Sequence, residues 1–188
     1  MRNNSLDCTP LFVVLVTAFL ATAVAVADDN GTTAAEQEVV NRLAGGWRLV
    51  SRVTTGLDGK ALVDAGLSVT PSGVLIYDRF GHVAAQLSRP GRTVEVLGEE
   101  CRAAEKVKGT NDTAQTILGY DAYFGTYTVD AEAGVVTHHL ESALFPGDIG
   151  KDIKRNFSIS GDTLTIRFHT TTAEGTPVIR TLVWARMK

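Results

Sequence analysis

Trp47-Arg-Leu-Val-Ser-Arg-Val-Thr54 is the stretch that decides the fold, because at Trp47 the apolar period changes from helical to two. Trp47, Leu49, Ser51 and Val53 share one strand face, and Arg48, Val50, Arg52 and Thr54 share the other. Immediately upstream, Thr33-Ala-Ala-Glu36 reads as a capping box, Val39, Val40 and Leu43 fall on one helical face, and Gly45-Gly46 stops the turn. A short helix therefore feeds directly into a strand.

Downstream, strand-like runs follow at Gly73 to Phe80, His82 to Arg89, Thr93 to Leu97, Phe124 to Asp130, Val135 to Ser142, Ile153 to Ile159, Thr163 to Thr171 and Pro177 to Met187. The breaks carry turn chemistry: Asp58-Gly59, Gly81, Pro90-Gly91, Gly134, Ser160-Gly161-Asp162 and Glu174-Gly175. Such short separations join neighbouring antiparallel strands, since a parallel crossover needs a dozen or more residues. The exception is residues 99–119, where Glu99 to Lys108 is helix-compatible. A sandwich and a barrel both accommodate this spacing. Closure is favoured because it removes exposed strand edges. The expected class is all-β, an antiparallel up-and-down β-barrel with a short N-terminal helix.

The 188 residues carry 18 basic and 21 acidic side chains, a formal charge of -3. That balance gives no general attraction to nucleic acid or to an anionic membrane surface. Pro10 to Ala27 is a nearly unbroken apolar run ending in Ala25-Val26-Ala27, small residues placed where a signal peptidase reads. The expected organisation is a signal peptide over 1–27, a polar tail and helix over 28–42, and a barrel domain over 43–188. Export to the periplasm or the exterior follows, with no stable membrane insertion once the leader is cleaved. Cys8 leaves with that leader, and Cys101 alone can form neither an intrachain disulfide nor a CxxC pair.

Several segments together resemble a known family. Leu43-Ala-Gly-Gly-Trp-Arg-Leu-Val-Ser51 is similar to the Gly-x-Trp opening of lipocalins, with Gly45 and Trp47 as the matching residues. With Gly73 to Tyr77, Gly81 to Gln86, Tyr123-Phe-Gly-Thr-Tyr-Thr-Val-Asp130, Val136 to Ser142 and Pro146-Gly-Asp-Ile-Gly150, the chain from Leu43 to Arg186 resembles the bacterial and fungal lipocalin-like domain family. The resemblance implies a calycin-type barrel in which the early Trp packs at the closed end beneath a basic residue of a late strand. Arg180 and Arg186 are both candidates for that partner.

Within a barrel, polar side chains on the inner face are the informative ones. In Ile153-Lys-Arg-Asn-Phe-Ser-Ile159 the apolar phase holds Ile153, Phe157 and Ile159, which places Arg155 with them. An inward guanidinium needs an anion or a polar network to offset its desolvation. Arg155 is the leading candidate for the polar head of a ligand, and Glu141 is its alternative partner if the phase of Val135, Thr137, His139 and Glu141 points inward. The opposite phase, Val136, His138 and Leu140, is equally apolar, so the choice between His138 and His139 stays open. Tyr77, Gln86, Tyr120, Tyr123 and Tyr127 form a looser group able to serve either a ligand or the core.

No HExxH motif, compact ligand set, P-loop, dinucleotide fingerprint or nucleophile elbow appears, so neither a metal nor a cofactor is expected. The expected function is non-covalent binding of a small hydrophobic or amphipathic molecule in a barrel cavity, by Arg155, His139, Tyr77, Gln86, Tyr127 and Glu141. The alternatives are a cofactor-independent isomerase or cyclase using the same cavity, and an envelope structural or interaction domain with a filled core. The leader reading predicts that exported protein begins at Asp28; an intact mass corresponding to another start would contradict it.

Overall fold

The computed structural model describes residues 32–63, 66–68, 70–92 and 118–188. The leader, the strand expected at Thr93 to Leu97, the helix-compatible segment from Glu99 to Lys108 and Cys101 lie outside the described residues.

The first element among the described residues is α1 (Ala34–Leu43). It starts where the capping box demands: the Glu36 amide donates to Thr33 Oγ1 at 3.2 Å, and the Thr33 amide donates to Glu36 Oε2 at 2.8 Å. Nine strands follow among the described residues: β1 (Gly45–Gly56), β2 (Ala61–Leu62), β3 (Ser72–Tyr77), β4 (His82–Ser88), β5 (Tyr120–Asp130), β6 (Val135–Ala143), β7 (Asp152–Ser160), β8 (Thr163–Thr171) and β9 (Pro177–Arg186). Their order is β2-β1-β3-β4-β5-β6-β7-β8-β9, and β9 pairs back onto β1. The expected antiparallel barrel is formed: eight strands close, and β2 is an additional short strand on the far end of β1.

Strand limits differ from the sequence reading where side chains rewrite the backbone bonding. β3 ends at Tyr77, not Phe80, because Asp78 Oδ1 accepts from the amides of Phe80 and His82, both at 2.8 Å, and turns the chain into β4. β5 begins at Tyr120, four residues before the expected start, paired with Ser88 of β4.

The larger correction concerns β1. Its register with β9 shifts between Leu49 and Ser51, so Val50 is an extra residue, 65% exposed, and the strand changes phase there. Trp47 and Leu49 point inward as expected, but beyond the bulge it is Arg52 and Thr54 that are buried, while Val53 is exposed. A second shift, between Phe124 and Gly125 of β5, leaves Glu141 of β6 without an opposite residue. Gly125 is required there: a Cβ would collide with the His139 carbonyl of the crossing strand.

One end of the barrel is closed by packing. Leu43 of α1, Trp47, Tyr77, Val136 and Leu164 are fully buried together. Trp47 Nε1 donates to the Leu43 carbonyl at 2.8 Å, and the Arg186 guanidinium lies 4.1 Å from the centroid of the Trp47 ring. Arg186 also donates to the Ala44 carbonyl at 2.9 Å and to that of Arg42, carbonyls left over at the C-terminus of α1. The basic partner of the early Trp is therefore Arg186. Gly45 is held at φ 128° in line with Arg186, and a Cβ there would meet its Nη1 at 3.0 Å.

Trp47→Ala should lower unfolding stability by about 3–5 kcal/mol, the range for emptying a buried aromatic site. Urea denaturation without ligand measures it; a loss below about 1 kcal/mol would contradict the packing role.

Candidate functional site

At the end opposite α1 lie the last residues of β1, β4 and β6 and the first of β3, β5 and β7. A cavity of about 320 Å³ opens there inside the barrel. Its wall holds the guanidinium-bearing residues Arg52 of β1, Arg155 of β7 and Arg180 of β9, with Asp121 of β5 and the apolar side chains of Leu140, Ile153 and Phe168. Arg52 and Arg180 are each only 6% exposed, so these charges belong to the interior. Lys151 and Asp148, also at the cavity, pair with each other at 2.8 Å. The other charged residues of the wall are Arg52, Arg155, Arg180 and Asp121.

Arg155 is on the inner phase of β7, with Ile153, Phe157 and Ile159, as the alternation implies. Its guanidinium stacks 3.8 Å from the centroid of the Phe168 ring. Among the described residues its hydrogen bonding is confined to the carbonyl of its neighbour Lys154, at 3.2 Å, and it has no ion-pair partner. Burial pulls its proton affinity below the ordinary value; Tyr123, Tyr77 and Asp121 oppose that shift, and Arg180 adds to it. A guanidinium remains charged through such a change.

Beneath this cavity a second chamber of about 50 Å³ is bordered by Tyr123, His138, Arg155, Phe168, Leu182 and Trp184, among others. His138 is 1% exposed, and both its ring nitrogens are engaged. Tyr77 Oη lies 2.7 Å from Nε2 and Tyr123 Oη 2.9 Å from Nδ1. Burial, then the charges of Arg155 and His139, push His138 down to about 3, so the imidazole is neutral at ordinary pH. Burial raises Tyr123 to about 12 and Tyr77 well above its ordinary value. The three rings form a neutral hydrogen-bonded chain from the packed end to the chamber wall.

The six candidate ligand residues separate. Arg155 borders both chambers. Tyr77 faces inward but is buried against His138 and against Tyr127, whose ring centroid is 4.9 Å away. Tyr127 donates to the Asp78 carbonyl at 2.7 Å and belongs to the closed end. Three placements need correction. Gln86 is exposed on the outer face of β4, where the Tyr120 hydroxyl reaches it at 3.1 Å. Glu141 is exposed at the β6 bulge. His139 faces outward, since it alternates with buried His138, and there it joins Asp152 at 2.7 Å and Thr128 at 3.0 Å. It is His138 that takes the inner phase.

Sequence reasoning missed Arg52, Asp121 and Trp184. The bulge at Val50 hid the first, because alternation counted from Trp47 sends Arg52 outward. Asp121 fell before the expected start of its strand, although its pairing with Leu87 extends the β4 alternation. Trp184 was readable, being in phase with Leu182 and Arg186 of β9.

A wider groove of about 490 Å³ lies outside the barrel, between α1 and the turn after β3, bordered by Glu36, Arg79 and Phe80. It collects no buried charge, so the interior cavity is the better candidate. Among the described residues no helix is long and apolar enough to cross a membrane.

Residues 44–187 match the family model described as a lipocalin-like domain. A search of the curated proteins finds no match to the chain.

The neutral state of His138 has a consequence for acid stability. Its folded value, about 3, is below the unfolded value of 6.5, so between the two the unfolded chain binds more protons. The contribution is fully present above about pH 6.5 and is lost as pH falls toward 3. His138→Asn removes that titration; urea midpoints of wild type should fall more steeply over this window than those of the variant, by an amount equivalent to a few kcal/mol. Parallel profiles would contradict a buried neutral imidazole.

Proposed function

The chain belongs to the lipocalin-like domain family, and we propose that it binds, without bond chemistry, a small amphipathic molecule whose acidic end is held by Arg155 inside the barrel. A lipocalin-like barrel is suited to ligand binding in general; the finer reading rests on the cavity wall. The observation that carries it is the Arg155 guanidinium, stacked on Phe168 at the cavity and without an ion-pair partner among the described residues. Desolvating a guanidinium is costly unless an anion meets it. A ligand carboxylate supplies that charge in bidentate geometry.

Leu140, Ile153 and Phe168 supply the apolar contacts, at roughly 25 cal/mol per Å² buried. The space suits a compact ligand: the closed half of the barrel is filled by Trp47, Tyr77 and their neighbours. An isomerase or cyclase in the same cavity draws less support, because both nitrogens of His138 are engaged and its imidazole does not titrate near neutrality. The proposal places the barrel in the periplasm or outside the cell, on the strength of the leader read in residues 1–27.

Calorimetric titration with hexanoate and octanoate tests the reading. Binding with a negative heat-capacity change is expected, and Arg155→Ala should weaken it about tenfold or more, as for a lost hydrogen bond to a charged group. Affinity undiminished in the variant would remove Arg155 from the site, and an inert wild type would sink the binding function itself.

A further inference from the structure

The Tyr77–His138–Tyr123 chain has a direction, fixed by its buried end. Tyr77 is 1% exposed, and among the described residues its hydroxyl has one hydrogen-bond partner, His138 Nε2 at 2.7 Å. A buried hydroxyl that only accepts leaves its own proton unsatisfied, which costs the full desolvation of that donor. Tyr77 therefore donates, and Nε2 accepts. A neutral imidazole has one donor and one acceptor nitrogen, so the proton sits on Nδ1 and is given to the Tyr123 oxygen 2.9 Å away. Tyr123, thus supplied with a donor, keeps its own O–H proton for another acceptor. Among the described residues no acceptor takes it.

A second donor borders the same small chamber independently. Trp184 is 2% exposed, and its buried Nε1 has no hydrogen-bond partner among the described residues. Tyr123, Trp184 and Arg155 thus border one space of about 50 Å³, whose remaining wall is Leu75, Leu87, Ile166, Phe168 and Leu182 together with His138, and the imidazole lone pair is already spent on Tyr77. That volume is close to what one or two waters occupy in the liquid and is large enough for a carboxylate head.

We propose that the lower chamber is a carboxylate seat in which the Tyr123 hydroxyl and the Arg155 guanidinium each donate to the ligand head, with His138, held as its Nδ1–H tautomer by Tyr77, acting as a positioning residue for Tyr123. The ligand is then an amphipathic monocarboxylic acid that enters head first. Its short apolar body lies above, in the wider cavity against Phe168 and Leu140. The neutral state of the chain fits this role, since Tyr123 keeps its proton up to about pH 12 and offers a donor throughout the physiological range. The inference rests on the binding function proposed above and adds the head-group chemistry and its second contact.

Two measurements decide it. Long-range proton–nitrogen correlation spectra of the histidine-labelled free protein report which ring nitrogen of His138 bears the proton. Nδ1–H is expected, and Nε2–H would overturn the proposal whether or not any ligand binds. Titration of octanoate and octanol, which share a chain and differ in the head, into wild type and Tyr123→Phe then tests the seat. Tyr123→Phe should weaken octanoate about tenfold and leave octanol within about twofold. Equal loss for both probes would make Tyr123 a packing residue and overturn the seat. Octanol binding with octanoate excluded would overturn the seat while leaving a ligand cavity standing, and failure of both probes on wild type would overturn the seat and the binding function together.

Discussion

The seam between β1 and β9 is the constraint on which the rest depends. β1 runs antiparallel to β9 from Trp47–Arg186 to Gly56–Val178, and this pairing turns an open meander into a closed wall. Closure satisfies the edge backbone groups that an open sheet would expose. The seam is locked at one end by a single side chain: Arg186 covers the Trp47 ring and donates to the carbonyls that finish α1. One guanidinium thereby joins the helix end, the first strand and the last. It also explains why Gly45 stands between them, since a side chain there would press on Nη1.

The same seam carries the bulge that divides the interior into two kinds of space. Before Val50, β1 contributes Trp47 and Leu49 to an apolar plug shared with α1; after it, β1 contributes Arg52 and Thr54. β9 follows suit, with Trp184 and Leu182 toward the plug and Arg180 toward the mouth. The closed half is packed and contributes stability. The open half keeps buried cations around a cavity and gives up part of that stability, since apolar residues at the same positions would avoid desolvation. The reading of that end as a binding site rests on the cavity and on Arg155 beside it.

Between the halves lies the Tyr77–His138–Tyr123 chain, and its energetics differ from those of a proton-transfer site. Burial moves the imidazole far below neutrality and the phenols above their usual range, so each group holds the protonation state in which it hydrogen-bonds without charge. Such a chain fixes orientation and carries little proton traffic. Outside, His139 shows what the adjacent residue does when solvent replaces the core: it bridges Thr128 and Asp152 across three neighbouring strands. Two adjacent histidines thus have opposite environments because a regular strand sends successive side chains to opposite faces.

The sequence by itself determined the helix cap at Thr33 and Glu36, the antiparallel strand class and the inward phase of Arg155, because each follows from local backbone chemistry or from an uninterrupted alternation, while the closed-end role of Trp47 was legible only through the family resemblance of its segment. Only the tertiary structure decided that Arg186 is the residue lying on Trp47, that His138 and not His139 faces the core, and that Arg52 and Asp121 join Arg155 and Arg180 around the cavity. Alternation reports two faces without saying which is inside when both are equally apolar, as on β6. It also loses count wherever a bulge inserts a residue, as at Val50, and a bulge is set by the partner strand.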